Sequence, residues 1–145
     1  MSDYFDVAKR EYEWIPYLLK GAHERKDYNL AVTQMQQVAE KYLKGYIDKY
    51  LNVCGKYDTQ LRTHNLRMLS AIVNEECGVF INIRDAKFLG DYYFDARYPG
   101  DNYEVIRDGN TAEECMKICD GIIYVIEKLL KDKDRKGTEF FGKLR

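Results

Sequence analysis

The segment 97–103 reads RYPGDNY and carries side chains that can hold an anion. Arg97 offers a planar fork of N–H donors that matches the oxygen geometry of phosphate. The same fork can instead form a local ion pair with an acid only a few residues away. These acids are Asp91, Asp95 and Asp101. Phosphate binding and a local ion pair are therefore equal alternatives for Arg97. Pro99 fixes its backbone φ and Gly100 permits unusual φ, so we expect residues 98–100 to shape the loop rather than perform chemistry.

His64 and Lys41 are two further candidates for a ligand site. His64 stands at the start of a predicted helix, where its imidazole can act as a base or as a donor facing a ligand. A hydrogen-bonded structural imidazole is the favoured alternative. Lys41 lies with Gln37 and Glu40 on the polar edge of another predicted helix, where these side chains can line a groove. A solvated or interhelical polar network is the default interpretation of that edge.

The sequence gives no reason to expect a metal ion or another cofactor. Its four cysteines are Cys54, Cys77, Cys115 and Cys119. Cys115 and Cys119 lie one helical turn apart, yet no cysteine or histidine elsewhere has the spacing that would complete a zinc site. Asp91 and Asp95 are also one turn apart but lack further ligands. We interpret the cysteines as small reduced thiols and the aspartates as a solvated acidic face.

Composition excludes several classes of protein. The 145 residues include 23 basic and 24 acidic side chains, which give a net charge of −1. No global field therefore draws the chain to nucleic acid or to an anionic membrane, and we expect neither as a partner. The N-terminal residues carry acids and no apolar run, and no segment has the apolar length of a membrane span. We therefore expect a cytoplasmic protein without a signal peptide.

The stretch Asp27–Leu51 organises the predicted fold. Its apolar residues recur at helical spacing and are Leu30, Met35, Val38, Ala39, Tyr42, Leu43, Tyr46, Ile47, Tyr50 and Leu51. The predicted opposite, polar face holds Gln34, Gln36, Gln37, Glu40, Lys41, Lys44 and Asp48. Asp27 precedes the apolar stripe and suits the N-cap position. Other helices must cover this stripe.

Four more helical segments follow from the same pattern. They are residues 3–25, interrupted or begun at Pro16; 63–74, capped by Thr63; 79–94; and 111–131, opened by the capping box of Thr111 and Glu114. The charged tail 132–145 is expected to be mobile or to dock through Phe140 and Phe141. No alternating strand pattern occurs. The sequence predicts a single all-α domain over residues 1–145, an up-and-down bundle of four to five helices with its core over about 3–131.

Three local sequences together resemble the HEPN domain family. They are MQQVAEKYLKGY at 35–46, RTHNL at 62–66 and KFLGDYYFDARYPG at 87–100, and the resemblance runs in order from Tyr12 to Leu130. It implies a helical bundle that forms a homodimer and binds a nucleotide. It also implies a possible partner, since many such proteins are encoded beside a minimal nucleotidyltransferase as toxin–antitoxin pairs.

Other HEPN proteins are metal-independent ribonucleases, whose motif is an Arg, four to six spacer residues and then a His. Arg97 stands where this Arg is expected, but Asn102 occupies the position after four spacers. Tyr103 lies near a tyrosine that the nucleotidyltransferase modifies in some toxins, although its register differs. No other Arg in the chain has a His at the required spacing. The nuclease signature is absent, which favours a protein without catalytic activity.

The resemblance and the residues leave two main functions open. The first is a non-catalytic nucleotide-binding homodimer, with or without a nucleotidyltransferase partner; the second is a metal-independent ribonuclease toxin with a non-standard set of catalytic residues. A helical scaffold without a small ligand is a third alternative. The predicted ligand-binding residues are Arg97, Tyr98, Asp101, Asn102, Tyr103, His64 and Lys41.

Overall fold

The computed structural model describes residues 3–95 and 104–143, without the side chains of 93–95 and 137–143. Five α-helices form a bundle, which confirms the predicted all-α fold. They are α1 (Tyr4–Arg25), α2 (Asn29–Tyr46), α3 (Leu66–Cys77), α4 (Ile83–Asp95) and α5 (Gly109–Lys143). A π-helical turn over Ile47–Leu51 prolongs α2, and short 3-10 turns over Val53–Gly55 and Gln60–Arg62 lead into α3. The described part of the chain contains no strand and no helix with the apolar length that crossing a bilayer requires.

The second helix is the centre of the bundle, as predicted. It packs against α1, α3, α4 and α5. The predicted stripe is buried at Met35, Val38, Ala39, Tyr42, Leu43, Tyr46 and Ile47. Burying each large apolar side chain stabilises the fold by about 1.5–3 kcal/mol, so α2 is the main local source of stability. The prediction was wrong at Leu30, which is 67% exposed at the first turn.

The predicted polar face of α2 is the larger correction. Gln36, Glu40 and Lys44 are buried, with exposed fractions of 0%, 7% and 6%. Their spacing of four residues aligns them in one row along the helix. The row is covered by the segment that leads into α3, so the polar side chains bond to one another and to that segment instead of to water.

The first helix runs without interruption through Pro16, which lies inside it. Its N-cap is Asp3, whose carboxylate accepts a hydrogen bond of 2.9 Å from the backbone N–H of Asp6. Lys26 ends the helix in the left-handed conformation, at a φ of 53°. Asp27 does not cap α2 as predicted, since Tyr28 occupies that position; the Asp27 carboxylate accepts instead from the Asn29 N–H at 3.2 Å.

Other helix ends also differ from the sequence prediction, and three of them have an identifiable cause. The N-cap of α3 is Asn65 rather than Thr63, and its side chain accepts from the Met68 N–H at 3.0 Å. At the start of α5, Asp108 accepts from the Asn110 N–H at 2.9 Å, so the helix begins before Thr111. The same helix continues to Lys143, and residues 132–143 are therefore helical rather than a separate tail. At the two N-termini a different polar side chain caps the helix, and at the C-terminus of α5 a run of good helix formers extends it beyond the expected end.

The last helix is fastened to the first two by polar and thiol contacts. Tyr12 donates to Asp120 at 2.7 Å and Tyr42 to Glu127 at 3.1 Å. The Cys119 thiol donates to the Met35 carbonyl oxygen at 3.4 Å. Burial raises the pKa of the Cys115 thiol to about 12 and the pKa of Cys119 further, because a thiolate cannot be solvated there. Both cysteines are thus neutral packing groups at neutral pH.

Candidate functional site

A groove opens where the start of α3 meets the middle of α4. We call it the His64 groove; its volume is about 560 Å³, and it is lined by Thr63, His64, Asn65, Leu66, Arg67, Lys87, Gly90 and Asp91. The two helices meet closely here, because a Cβ atom on Gly90 would lie only 3.3 Å from the Cβ of Leu66. The absence of a side chain at Gly90 therefore sets the distance between the two walls of the groove.

Beneath this groove, Glu40 holds the His64 ring. The Nδ1 atom of His64 lies 3.0 Å from Oε1 of Glu40 and 3.1 Å from Oε2. On either side of Glu40 along α2, Gln36 Nε2 donates to Oε1 at 3.0 Å and Lys44 Nζ lies 3.1 Å from Oε2. The Gln36 amide also reaches the backbone oxygen of His64, at 3.5 Å.

The burial of Glu40 and Lys44 explains the role of these hydrogen bonds. The side chains of Glu40 and Lys44 are only 9% and 8% exposed, whereas that of His64 is 44% exposed. A buried carboxylate loses several kcal/mol of hydration, so it requires the donors that Gln36, Lys44 and His64 supply. The carboxylate in turn fixes the orientation of the imidazole, one edge of which is inside the protein while the rest faces the groove.

The mouth of the groove carries two basic side chains and one acidic side chain. Arg67 is exposed in the first turn of α3 and makes no ion pair with any side chain that the structure describes. Lys87 pairs with Asp91 at 2.9 Å, and both side chains are more than half exposed. The backbone N–H groups at the start of α3 add the partial positive charge of a helix N-terminus. The arrangement can bind an anion that presents two or more oxygens, either in a plane or at the corners of a tetrahedron.

Two of the predicted ligand-binding residues, His64 and Lys41, lie in the described part of the chain, and the structure places them at different sites. His64 lies in the groove, whereas Lys41 forms an ion pair with Glu11 on α1, and Gln34 donates to the same carboxylate at 3.2 Å. Lys41 and Glu40 are adjacent in sequence but lie on different sides of α2. The other candidates, Arg97, Tyr98, Asp101, Asn102 and Tyr103, lie outside the described residues, and their roles stay predictions.

The chain that follows these candidates is held by Asn29, a residue that the sequence did not single out. Asn29 is 7% exposed at the first turn of α2. Its side chain accepts from the Ile106 N–H at 2.8 Å and donates to the Glu104 oxygen at 3.3 Å. The described chain therefore ends at Asp95, one turn beyond the groove residue Asp91, and resumes at Glu104 beside Asn29.

Sequence reasoning also missed Arg67, Lys87 and the inward position of Glu40. Arg67 and Lys87 are ordinary exposed positions on two separate helices, and only the packing of α3 on α4 makes them neighbours. A signal did exist for Glu40, since Gln36, Glu40 and Lys44 follow one another at four-residue intervals. That spacing is equally typical of a solvated helix face.

A model of the HEPN domain family matches residues 3–129. This range includes all of α1 to α4, most of α5 and every residue of the His64 groove. Comparisons with curated proteins and with solved structures gave no match.

The network around Glu40 predicts a large stability effect. Glu40→Ala leaves the Lys44 ammonium buried without a partner, and we expect a loss of about 3–5 kcal/mol in the free energy of unfolding. Adding Lys44→Met should recover most of this loss, because no unpaired charge then stays buried. Urea denaturation monitored by circular dichroism measures both variants.

Asp91→Ala is the matched control, since it breaks an exposed ion pair at the same four-residue spacing. Exposed pairs contribute at most about 1 kcal/mol, so this variant should unfold almost as the wild type does. A Glu40→Ala loss no greater than that of Asp91→Ala would contradict the structural role of the network.

Proposed function

Because the chain belongs to the HEPN domain family, we propose that it is a non-catalytic nucleotide-binding protein whose ligand places its phosphates in the His64 groove. The family comprises nucleotide-binding and ribonuclease-like domains. The observation that carries the proposal is that the imidazole held by Glu40 shares one groove with Arg67, Lys87 and the N-terminus of α3.

The groove suits phosphate more than a carboxylate or a neutral ligand. Arg67 offers a bidentate fork that matches two oxygens of a phosphate group, and the N-terminus of α3 adds its partial positive charge. Lys87, which pairs with Asp91 at 2.9 Å on the facing helix, adds a second basic side chain beside the groove. Arg97, in the segment that follows α4, is proposed as a further phosphate contact.

We further propose a cytoplasmic homodimer with a minimal nucleotidyltransferase as a partner in a toxin–antitoxin pair. The partner and its setting rest on the family alone. The homodimer has support in large apolar side chains that are exposed in the single chain, among them Trp14 at 60% and Tyr17 at 70%. Contiguous apolar surface of this kind is typical of protein interfaces.

A metal-independent ribonuclease is the second candidate, and one contact favours it. A carboxylate that fixes an imidazole is the arrangement that orients a general base, and Glu40 holds His64 in this way. The family's own motif places its His after the Arg, where this chain has Asn102. An amide cannot exchange a proton near neutral pH, so this candidate ranks second.

Nucleotide should stabilise the protein against heat. At about 100 times its dissociation constant, ADP or inorganic phosphate adds about 2.7 kcal/mol, which for a chain of this size is a rise of about 5–10 °C in Tm. Arg67→Gln should remove most of the rise, and Arg97→Ala should abolish it if segment 97–103 completes the site. Thermal unfolding by circular dichroism or calorimetry measures these shifts.

Lys117→Gln is the control, because it removes one positive charge from an exposed position on α5, outside the groove. Its Tm should rise with ligand as that of the wild type does. An unchanged wild-type Tm at millimolar concentrations of several nucleotides would contradict the proposed function. An equal loss of the shift in Arg67→Gln and Lys117→Gln would indicate unspecific charge attraction.

Purified protein should not cleave RNA. Loss of general acid–base catalysis lowers the rate by about 100- to 10,000-fold. Structured and single-stranded RNA should therefore stay intact in EDTA with the wild type. The Arg97→Ala and His64→Gln variants should give the same result. Gel electrophoresis of end-labelled RNA is the measurement. Cleavage by the wild type that disappears in His64→Gln would establish the second candidate, with His64 and Glu40 as its acid–base pair.

A further inference from the structure

A second groove lies on the neighbouring face of α4, beside the His64 groove. We call it the Phe88 groove; its volume is about 410 Å³, and its walls include Phe88, Asp91, Tyr92, Glu104, Val105 and Ile106. Asp91 lines both grooves. Lys87 of the His64 groove and Phe88 are consecutive residues, which project about 100° apart around a helix. A ligand that occupies both grooves therefore needs to cross only the surface of α4 at Asp91.

Hydrogen bonds to the start of α2 fix the wall that residues 104–106 form. The Tyr28 N–H donates to the Ile106 oxygen at 2.9 Å. The buried Asn29 side chain accepts from the Ile106 N–H at 2.8 Å and donates to the Glu104 oxygen at 3.3 Å. Binding to a wall that is already ordered loses little free energy to ordering. This side of the Phe88 groove is therefore preorganised.

Phe88 offers an aromatic surface for stacking. It is 39% exposed, although it is a large apolar residue. The Phe88 and Tyr92 rings contact each other edge to face, with centroids 5.5 Å apart and an interplanar angle of 80°. Val105 and Ile106, which line the same groove, are half-buried and add aliphatic surface. Because a nucleic-acid base stacks readily on an exposed aromatic ring, the groove suits a flat aromatic group.

The two grooves differ in charge. The His64 groove carries Arg67 and Lys87. Three carboxylates line the Phe88 groove: Asp91, Glu104 and Asp108. Arg107 lines it as well, but its guanidinium donates to the Lys26 carbonyl oxygen at 3.2 Å. Carboxylates repel phosphate and accept hydrogen bonds from N–H groups, so the two grooves suit opposite ends of one ligand.

The carboxylates also indicate the class of base. Adenine, guanine and cytosine each carry an exocyclic amine that donates hydrogen bonds, whereas uracil carries none. Glu104 is exposed and makes no ion pair with another described side chain. The Asp108 carboxylate instead accepts from the Asn110 N–H at 2.9 Å at the start of α5. Glu104 is therefore the better acceptor for a base amine.

We propose that the nucleotide lies across α4, with its phosphates in the His64 groove, its ribose hydroxyls on Asp91 and its base stacked on Phe88. The inference rests on the proposed function and adds the class of ligand, a ribonucleotide whose base carries an exocyclic amine. The Asp91 side chain is 56% exposed and lies between the two grooves. Its two oxygens have several acceptor sites, so it accepts from ribose hydroxyls beside its contact with Lys87.

Isothermal titration calorimetry with four ligands tests the assignment. Pyrophosphate reports on the phosphate site alone, and ADP reports on the whole site. UDP lacks the amine for Glu104, and 2′-deoxy-ADP lacks one hydroxyl for Asp91. Each of these two should bind about five- to tenfold more weakly than ADP to the wild type. Asp91→Ala should remove the difference between ADP and 2′-deoxy-ADP.

Variants of Phe88 separate the base site from the phosphate site. Phe88→Ala should weaken ADP binding by about five- to 150-fold, the usual contribution of stacking on an aromatic ring, and leave pyrophosphate binding unchanged. Phe88→Tyr keeps an aromatic ring and should retain most of the ADP affinity. Phe80→Ala is the matched control, since Phe80 is 78% exposed and lines neither groove. It should bind ADP as the wild type does.

The outcomes distinguish this inference from the proposed function. A wild type that binds neither pyrophosphate nor ADP would overturn both. If pyrophosphate binds but Phe88→Ala affects ADP no more than Phe80→Ala does, the base site is wrong and the phosphate site stands. An equal loss of pyrophosphate and ADP binding in Phe88→Ala would also overturn the base site, because Phe88 would then act through the fold. UDP and 2′-deoxy-ADP that bind as tightly as ADP would overturn the class of ligand.

Discussion

A carboxylate buried in a helical bundle must be paired, and the pairing of Glu40 determines the geometry of the proposed ligand site. Glu40 lies in the middle of the central helix and is 7% exposed. Gln36 and Lys44 satisfy it from its own helix, and His64 satisfies it from the chain that enters α3. Because the network needs His64, the start of α3 must lie across α2. The close contact of Leu66 with Gly90 then brings α4 alongside and forms the groove.

The second helix therefore has two polar sides with different roles. Glu40 and Lys44 face α3 and support the His64 groove, whereas Lys41 pairs with Glu11 and fastens α1. The ligand site proposed at α3 and α4 and the exposed rings of Trp14 and Tyr17 on α1 therefore lie on separate helices.

Much of the fold could be predicted from the sequence, because the apolar stripe of α2 has a clear helical period and its residues are buried as that period implies. Helix ends were harder, since Thr63 and Asn65 are both good caps and only local geometry selects Asn65. In the candidate site, His64 could be named from sequence, but its neighbours Arg67 and Lys87 could not. They come together only through the packing of two helices, which no local pattern encodes.

Binding of phosphate at His64 is the central claim, and nuclear magnetic resonance of the histidine rings tests it most directly. The chain has two histidines, and His23 lies outside the groove, where its Nδ1 atom contacts the Tyr28 hydroxyl at 2.6 Å. Titration of ¹⁵N-labelled protein with ADP should move the ring signals of His64 and leave those of His23 unchanged. Saturating ADP that moves neither ring, or moves only His23, would contradict the account.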